Sequence, residues 1–307
     1  MRVLSSPVVA RSPRLSVLVP FFRDDPIDTL LAVAQQADAR VEIIAWDDGS
    51  DDPELTARLE RTLGTLDADV RVVTGIPNQG RSGARNALVA RARAAWVLFL
   101  DADMRPGDQR FLERYLSCIE EGSAEVVFGG FTVEATGPRE TALHRALSDR
   151  SDCLDARTRR REGAKLVASS NLCVRRDVLA TENFDGDFSG WGWEDSEWAA
   201  RVARRFCIIH IDNPAVHLGL ETDATLLERF ATSGPNYLRF ARAHPDLAQG
   251  FPLFRHAMRL SRLPGQAALR PVLRRLVTSK ALPMRLRVGA LKFWRASHYA
   301  DALGEAW

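Results

Sequence analysis

Short apolar runs alternate with amphipathic stretches through the first hundred residues. Residues 15–20 (Leu-Ser-Val-Leu-Val-Pro), 41–46, 70–74 and 95–100 read as strands. Between them, 28–38 carries Leu30, Leu31, Val33 and Ala34 at helical spacing, and 53–66 and 82–93 also read as helices. This βαβαβαβ alternation implies an α/β fold with a doubly wound, mostly parallel sheet. Ligands in such sheets bind beyond the carboxyl ends of the strands. Further on, 111–121 reads as a helix, 125–133 as a strand, and 166–170 with 172–174 as a strand or turn around Asn171. A helix over 193–205, a strand over 207–211 and then His217 follow. Residues 1–13 read as a loose leader, and 137–165 as an irregular polar segment lying over the site. From about Leu226 the pattern is helical to the end, broken by Pro245, Pro252, Pro264, Pro271 and Pro283. The expected organisation is a domain over 14–225 and a basic helical appendage over 226–307.

Composition excludes several classes. With 46% hydrophobic and 27% charged residues, the 307-residue chain is ordinary for a soluble globular protein. No apolar run approaches the roughly 20 residues that span a bilayer, and 15–19 lacks the apolar core of a signal peptide. Cys118, Cys153, Cys173 and Cys207 form neither a zinc motif nor a disulfide framework, so a reducing cytoplasm is expected. There is no internal repeat, no dinucleotide-binding glycine fingerprint and no P-loop.

Charge changes the picture at one end. The net +2 divides unevenly, with 11 Lys/Arg against 2 Asp/Glu in 251–307. That segment is therefore +9 and the remainder −7. The asymmetry predicts either a solvated basic helical face or a tail that meets an anionic membrane or polyanionic acceptor. Nucleic acid is not an expected partner, because the rest of the chain is acidic.

Three acidic clusters carry the candidate chemistry. Asp47-Asp48-Gly49-Ser50 and Asp101-Ala102-Asp103 both follow apolar strands. Two carboxylates at alternate positions suit a hard divalent cation, a ribose hydroxyl or ordered water, although Asp-x-Asp also makes ordinary turns and caps. His217 can add an imidazole nitrogen, and a mixed carboxylate and imidazole set suits Mn²⁺ at least as well as Mg²⁺. Arg85, on the helix after Gly80, suits phosphate or planar recognition, or is a solvated helix arginine. The third cluster is Gly190-Trp191-Gly192-Trp193-Glu194-Asp195. Exposed aromatics beside carboxylates suit sugars, whose C–H faces stack on rings and whose hydroxyls bind or lose protons to carboxylates. The same run fits a loop entering a helix, where acidic residues favour the first turn.

Together these elements resemble a GT-A glycosyltransferase of the large inverting family 2. The matching residues are Val17-Leu18-Val19-Pro20, Asp47-Asp48-Gly49-Ser50, Asn78-Gln79-Gly80-Arg81-Ser82-Gly83-Ala84-Arg85-Asn86, Phe99-Leu100-Asp101-Ala102-Asp103, the Trp-Gly-x-Glu-Asp run ending at Asp195, and His217. They occur in the family's order. The Trp-Gly-x-Glu-Asp run also resembles β-1,4-galactosyltransferases and chondroitin-type polymerases. The resemblance implies donor binding by Pro20, Phe21, Asp48, Arg85, Asp101 and Asp103, with Mn²⁺ or Mg²⁺ on Asp103 and His217. It implies Asp195 as general base with Glu194 beside it, and Trp191, Trp193 and Asn171 near the acceptor or sugar. The expected activity is transfer of a sugar from a nucleotide diphosphate donor, UDP-linked, to a saccharide or glycolipid hydroxyl in polysaccharide biosynthesis. A nucleotidylyltransferase-like or purely nucleotide-sugar-binding protein is the alternative. The Gln-x-x-Arg-Trp motif of membrane-embedded synthases is missing, and Trp46 stands where a small aliphatic residue is implied.

Overall fold

A computed structural model describes residues 2–304. Its strands are β1 (Arg2–Ser5), β2 (Leu15–Phe21), β3 (Val41–Asp47), β4 (Asp69–Thr74), β5 (Trp96–Leu100), β6 (Met104–Pro106), β7 (Val126–Phe128), β8 (Phe131–Val133), β9 (Asn171–Arg175), β10 (Ile208–His210) and β11 (Ala215–His217). The helices α1 (Ile27–Ala34), α2 (Pro53–Leu63), α3 (Gly80–Val89) and α4 (Phe111–Glu121) alternate with the early strands. Then come α5 (Ala142–Ser151), α6 (Ala156–Glu162), α7 (Arg176–Thr181) and α8 (Glu194–Val202). The rest is helical: α9 (Asp223–Thr232), α10 (Gly234–Ala243), α11 (Pro245–Gly250), α12 (Pro252–Ser261), α13 (Arg270–Thr278) and α14 (Met284–Gly304).

Two units divide these elements. The first comprises residues 1–133, 153–186 and 198–219; the second comprises 134–152, 187–197 and 220–307. In the first unit one sheet has the order β1-β4-β3-β2-β5-β9-β7-β10, and a small sheet has the order β6-β11-β8. β2, β3, β4 and β5 run parallel, while β9 is antiparallel to both β5 and β7. The fold is thus a mixed α/β sheet, as the pattern implies. Strand residues alternate between two cores. Val17, Val19, Ile43 and Leu98 pack with α1, α2 and α4 on one side. Leu18, Ile44, Val97 and Phe99 pack with α3, α7 and the later part of α8 on the other. Burial on both faces explains why these strands read as continuous apolar runs.

Three expectations need correction. The leader is not loose: β1 pairs antiparallel with β4, and the Ser6 hydroxyl donates to the Ala68 carbonyl at 2.7 Å. The single strand expected over 125–133 breaks at Gly129-Gly130, where Gly130 takes φ +77°, so β7 joins the large sheet and β8 the small one. The segment 137–165 is largely helical, with α5 and α6 inside it.

In the second unit, Leu143 of α5 packs with Leu226, Leu227 and Phe230 of α9, Val277 of α13, and Val288 and Leu291 of α14. Pro245 and Pro252 open α11 and α12, and Pro271 lies in the first turn of α13. At these positions the missing N–H costs no helix bond.

Candidate active site

β5 stops at Leu100, and the chain turns through Asp101 and Asp103 into β6. Thr29 on α1 pins this turn by donating its hydroxyl to the carbonyls of Ala102 and Met104. β6 pairs antiparallel with β11, setting Met104 opposite His217. The Leu218 N–H therefore donates to the Asp103 carbonyl at 2.9 Å, and His217 Nε2 lies 3.3 Å from Asp103 Oδ2. Gly219 makes room for that carboxylate, since a Cβ there would stand 2.0 Å from Asp103 Oδ2. Burial pushes the Asp103 carboxyl up. The bond to His217 and the charges of His217 and Arg81 outweigh this and hold it below the usual carboxylate range.

A carboxylate oxygen and an imidazole nitrogen so close together are a donor set for Mn²⁺ or Mg²⁺. Among the described residues, no group of three or more His, Cys, Asp or Glu side chains could hold a metal. A cation on this pair would take its other ligands from substrate and water.

Asp101 lies beside this pair in sequence but is tied to α3. Arg85 Nη2 donates to Asp101 Oδ1 at 2.9 Å, and Arg81 Nη2 is 3.6 Å from Asp101 Oδ2. Arg85 is only 1% exposed, so its guanidinium orients Asp101 from below, while the more exposed Arg81 shares the same carboxylate.

At the end of β3 the Asp48 carboxylate accepts three donors. These are the Trp46 indole N–H at 3.1 Å, the Gln79 N–H at 3.0 Å and the Gly80 N–H at 2.8 Å. The last two belong to the N-terminal end of α3. A carboxylate offers about four acceptor sites, so three donors orient it without filling it. The Trp46 ring lies against Gly75, where a Cβ would come within 2.0 Å, and Arg91 sits 4.4 Å over it.

Other predicted residues are placed differently. Pro20 is half-buried opposite Trp46. The Phe21 ring belongs to the core and gives no face to a ligand, although its carbonyl accepts the Asp48 N–H at 2.9 Å. Asn171 is fully buried. Its carbonyl accepts from Tyr115 at 2.7 Å, and its amide donates to the Gly130 and Asn213 carbonyls at 2.6 and 2.8 Å. Those interior partners strap the strand break at Gly130.

Trp191, Trp193, Glu194 and Asp195 belong to the second unit. Trp193 adopts φ +78°, costly for a bulky residue. Its surroundings over-determine that conformation. The ring packs 4.4 Å from Tyr237 and 5.0 Å from Phe240, and the indole N–H donates to the Tyr299 hydroxyl at 2.8 Å. The Asn236 amide clamps the same loop, donating to the Ser189 and Gly192 carbonyls at 2.9 and 3.0 Å. Trp191 packs on Phe230 with Arg229 over its ring. Both indoles are thus half-buried in this unit's aromatic cluster. Glu194 and Asp195 open α8, where acidic groups meet the positive end of the helix dipole. Glu194 is buried and Asp195 half-buried, while Glu197 Oε1 lies 3.3 Å from His244 Nε2. Thr29, Gly219, Asn236 and Tyr299 were not singled out from sequence. Gly219, two residues after His217, was the nearest to a visible signal.

The sequence model described as Glycosyl transferase family 2 matches residues 16–181. An uncharacterised glycosyltransferase of Bacillus subtilis, EpsJ, is 29% identical over 132 residues, covering 41% of this chain and 36% of that relative. The chain spans between 10% and 36% of the lengths of the curated relatives it matches. The mannosyltransferase PcManGT of Pyrobaculum calidifontis, solved with GDP-Man and Mn²⁺, has a TM-score of 0.58 at 17% identity, covering 99% of this chain and 90% of that one. S. aureus TarS, residues 1–349, solved with UDP-GlcNAc, has a TM-score of 0.54 at 16% identity, covering 94% and 90%.

Proposed function

This chain belongs to glycosyl transferase family 2, and from that premise we propose that it moves a sugar, with inversion, from a uridine diphosphate donor to a hydroxyl of a saccharide or glycolipid. The observation that carries the reading is the Asp103–His217 pair, 3.3 Å apart, with Asp103 beyond the end of β5 and His217 closing β11. A divalent metal held there would supply Lewis-acid stabilisation of charge building on the leaving diphosphate. Asp101, held by Arg85, accepts a ribose hydroxyl. Asp48, oriented by Trp46 and the start of α3, accepts a base N–H through its remaining acceptor capacity. Pro20 lines the base. Asp195 takes the proton of the acceptor hydroxyl as it attacks the anomeric carbon, with Glu194 beside it. Trp191 and Trp193 shape the acceptor side through the folded loop that carries them. One displacement inverts the anomeric centre.

A panel of UDP-, GDP- and dTDP-sugars with Mn²⁺ or Mg²⁺, read by thermal shift and donor hydrolysis, tests this. Stabilisation by UDP-sugars that EDTA removes is expected. Full turnover in EDTA would overturn the metal role, and no stabilisation by any donor would overturn the transfer reading.

A further inference from the structure

Helices α12, α13 and α14 present an unusual outer surface. Four cations of 251–307 are engaged within their own unit: Arg270 with Asp301, Arg287 and Lys280 with Asp223, and Arg295 over Trp193 and Phe230. The other seven make no ion pair among the described residues. On α12 and its end, Arg255, Arg259 and Arg262 recur at i, i+4 and i+7 and are exposed along one face. Arg274 and Arg275 are exposed on α13, and Arg285 and Lys292, seven apart, form a stripe on α14. In the first unit Arg2, Arg14, Arg40 and Arg58 each bridge an acid.

The same surface holds apolar side chains in water. Six of the eleven exposed large hydrophobics among the described residues fall between Leu263 and Phe293. Leu286 and Phe293, 59% and 54% exposed, stand seven apart and so share one side of α14. Val272 and Leu276 share one side of α13. The His256 ring lies 6.2 Å from that of Phe293, which brings the cationic face of α12 next to the apolar ridge of α14.

We propose that this surface docks on an anionic lipid bilayer, its arginines at the headgroups and Leu286 and Phe293 at the acyl boundary. Charge complementarity selects an anionic partner. The interleaved apolar chains select a bilayer over a soluble polyanion, which would use the cations and leave the apolar groups in water. No helix among the described residues is long and apolar enough to cross a membrane, so the surface lies on the bilayer and does not span it. The inference is independent of the sugar-transfer reading, because its readout is binding.

The test is co-sedimentation of the full chain with vesicles of phosphatidylcholine alone or mixed with phosphatidylglycerol, at low and high salt. Binding to the mixed vesicles only, lost at high salt, is expected. Each cation at the surface is worth about a fivefold change in partition, so the triple variant Arg259→Glu, Arg262→Glu, Lys292→Glu should lose binding by more than about a hundredfold. Leu286→Ser with Phe293→Ser should weaken binding while leaving its salt dependence in place. These are exposed positions, and unchanged melting curves verify folding. Equal binding to neutral vesicles, or none to either, overturns the proposal. Retention on immobilised heparin without vesicle binding, or no effect of the double serine variant, reassigns the surface to soluble polyanions.

Discussion

The indole of Trp46 holds the carboxylate of Asp48, N–H to Oδ1, across 3.1 Å. The two residues leave the end of β3 two positions apart, so their side chains project to the same face. Arg91 over the ring and Gly75 against it fix the indole, which in turn fixes the acid that meets the first amides of α3. Trp46→Phe keeps most of the packing but loses the donor. A bond to a charged acceptor contributes about 1.5–3 kcal/mol, so donor affinity should fall about ten- to a hundredfold at near-normal turnover. Trp46→Ala should instead cost about 3–5 kcal/mol of stability through the cavity it leaves. Donor titration of the Phe variant checks this, and wild-type affinity would show that the indole does not position Asp48.

Asp103→Ala and His217→Ala should each remove metal-dependent stabilisation by donor while leaving the fold intact. Gly219→Ala is the more discriminating variant, because it changes no ligand. Its added methyl displaces the Asp103 carboxylate, and metal affinity should drop with both ligands still present. Manganese titration by calorimetry measures all three. An alanine variant that binds metal like wild type would remove the steric role of Gly219.

Asp195→Asn keeps shape and removes basicity. Turnover should fall by about 10²–10⁴ with donor affinity little changed. A folded Asn variant with wild-type turnover would move the base elsewhere.

Glu42 predicts an acid-sensitive step in stability. It is fully buried on β3 and accepts from the Ser16 hydroxyl, the Arg93 backbone and guanidinium, and Arg71. Burial pushes its carboxyl up, but the bonds from Ser16 and Arg93 and the Arg93 charge win, and its folded value lies below the ordinary one. Its contribution is therefore present above the unfolded value of about 4.3 and is lost as pH falls through the lowered folded value. Glu42→Gln should cost about 1–3 kcal/mol at neutral pH and flatten the loss of stability below pH 4. Urea melts across the acid range would show it, and parallel pH curves for both proteins would contradict it.

The sheet was legible because β2, β3 and β5 are buried on both faces, which leaves a run of apolar residues that nothing else explains. β1 was not, because its four residues are mostly exposed at a sheet edge and show no alternation. α5 and α6 were missed for the same reason: each buries only two residues, and only one of those in each, Leu143 and Ala156, is apolar. The C-terminal prolines marked helix boundaries correctly because most of them start helices. Within the site, carboxylates at strand ends were readable as candidates. The partners that fix their orientation were less so: Thr29 and Gly219 act through distances that no spacing encodes, and Arg85 was a candidate whose bond to Asp101 no pattern shows. The inward bonds of Asn171 were not readable either, because an asparagine before an apolar run looks the same whether its amide faces inward or outward.

The ladder between β6 and β11 is only three residues long and is closed at both ends, by Leu218 N–H to the Asp103 carbonyl and Gly107 N–H to the Pro214 carbonyl. A strand's side chains alternate faces, so a one-residue shift turns every one of them over. Losing or gaining a single residue within 104–106 or 215–217 would separate Asp103 from His217 more thoroughly than replacing either of them. Chain-length changes should therefore be accommodated in the exposed turn at 108–110 and be lethal to the site a few residues to either side.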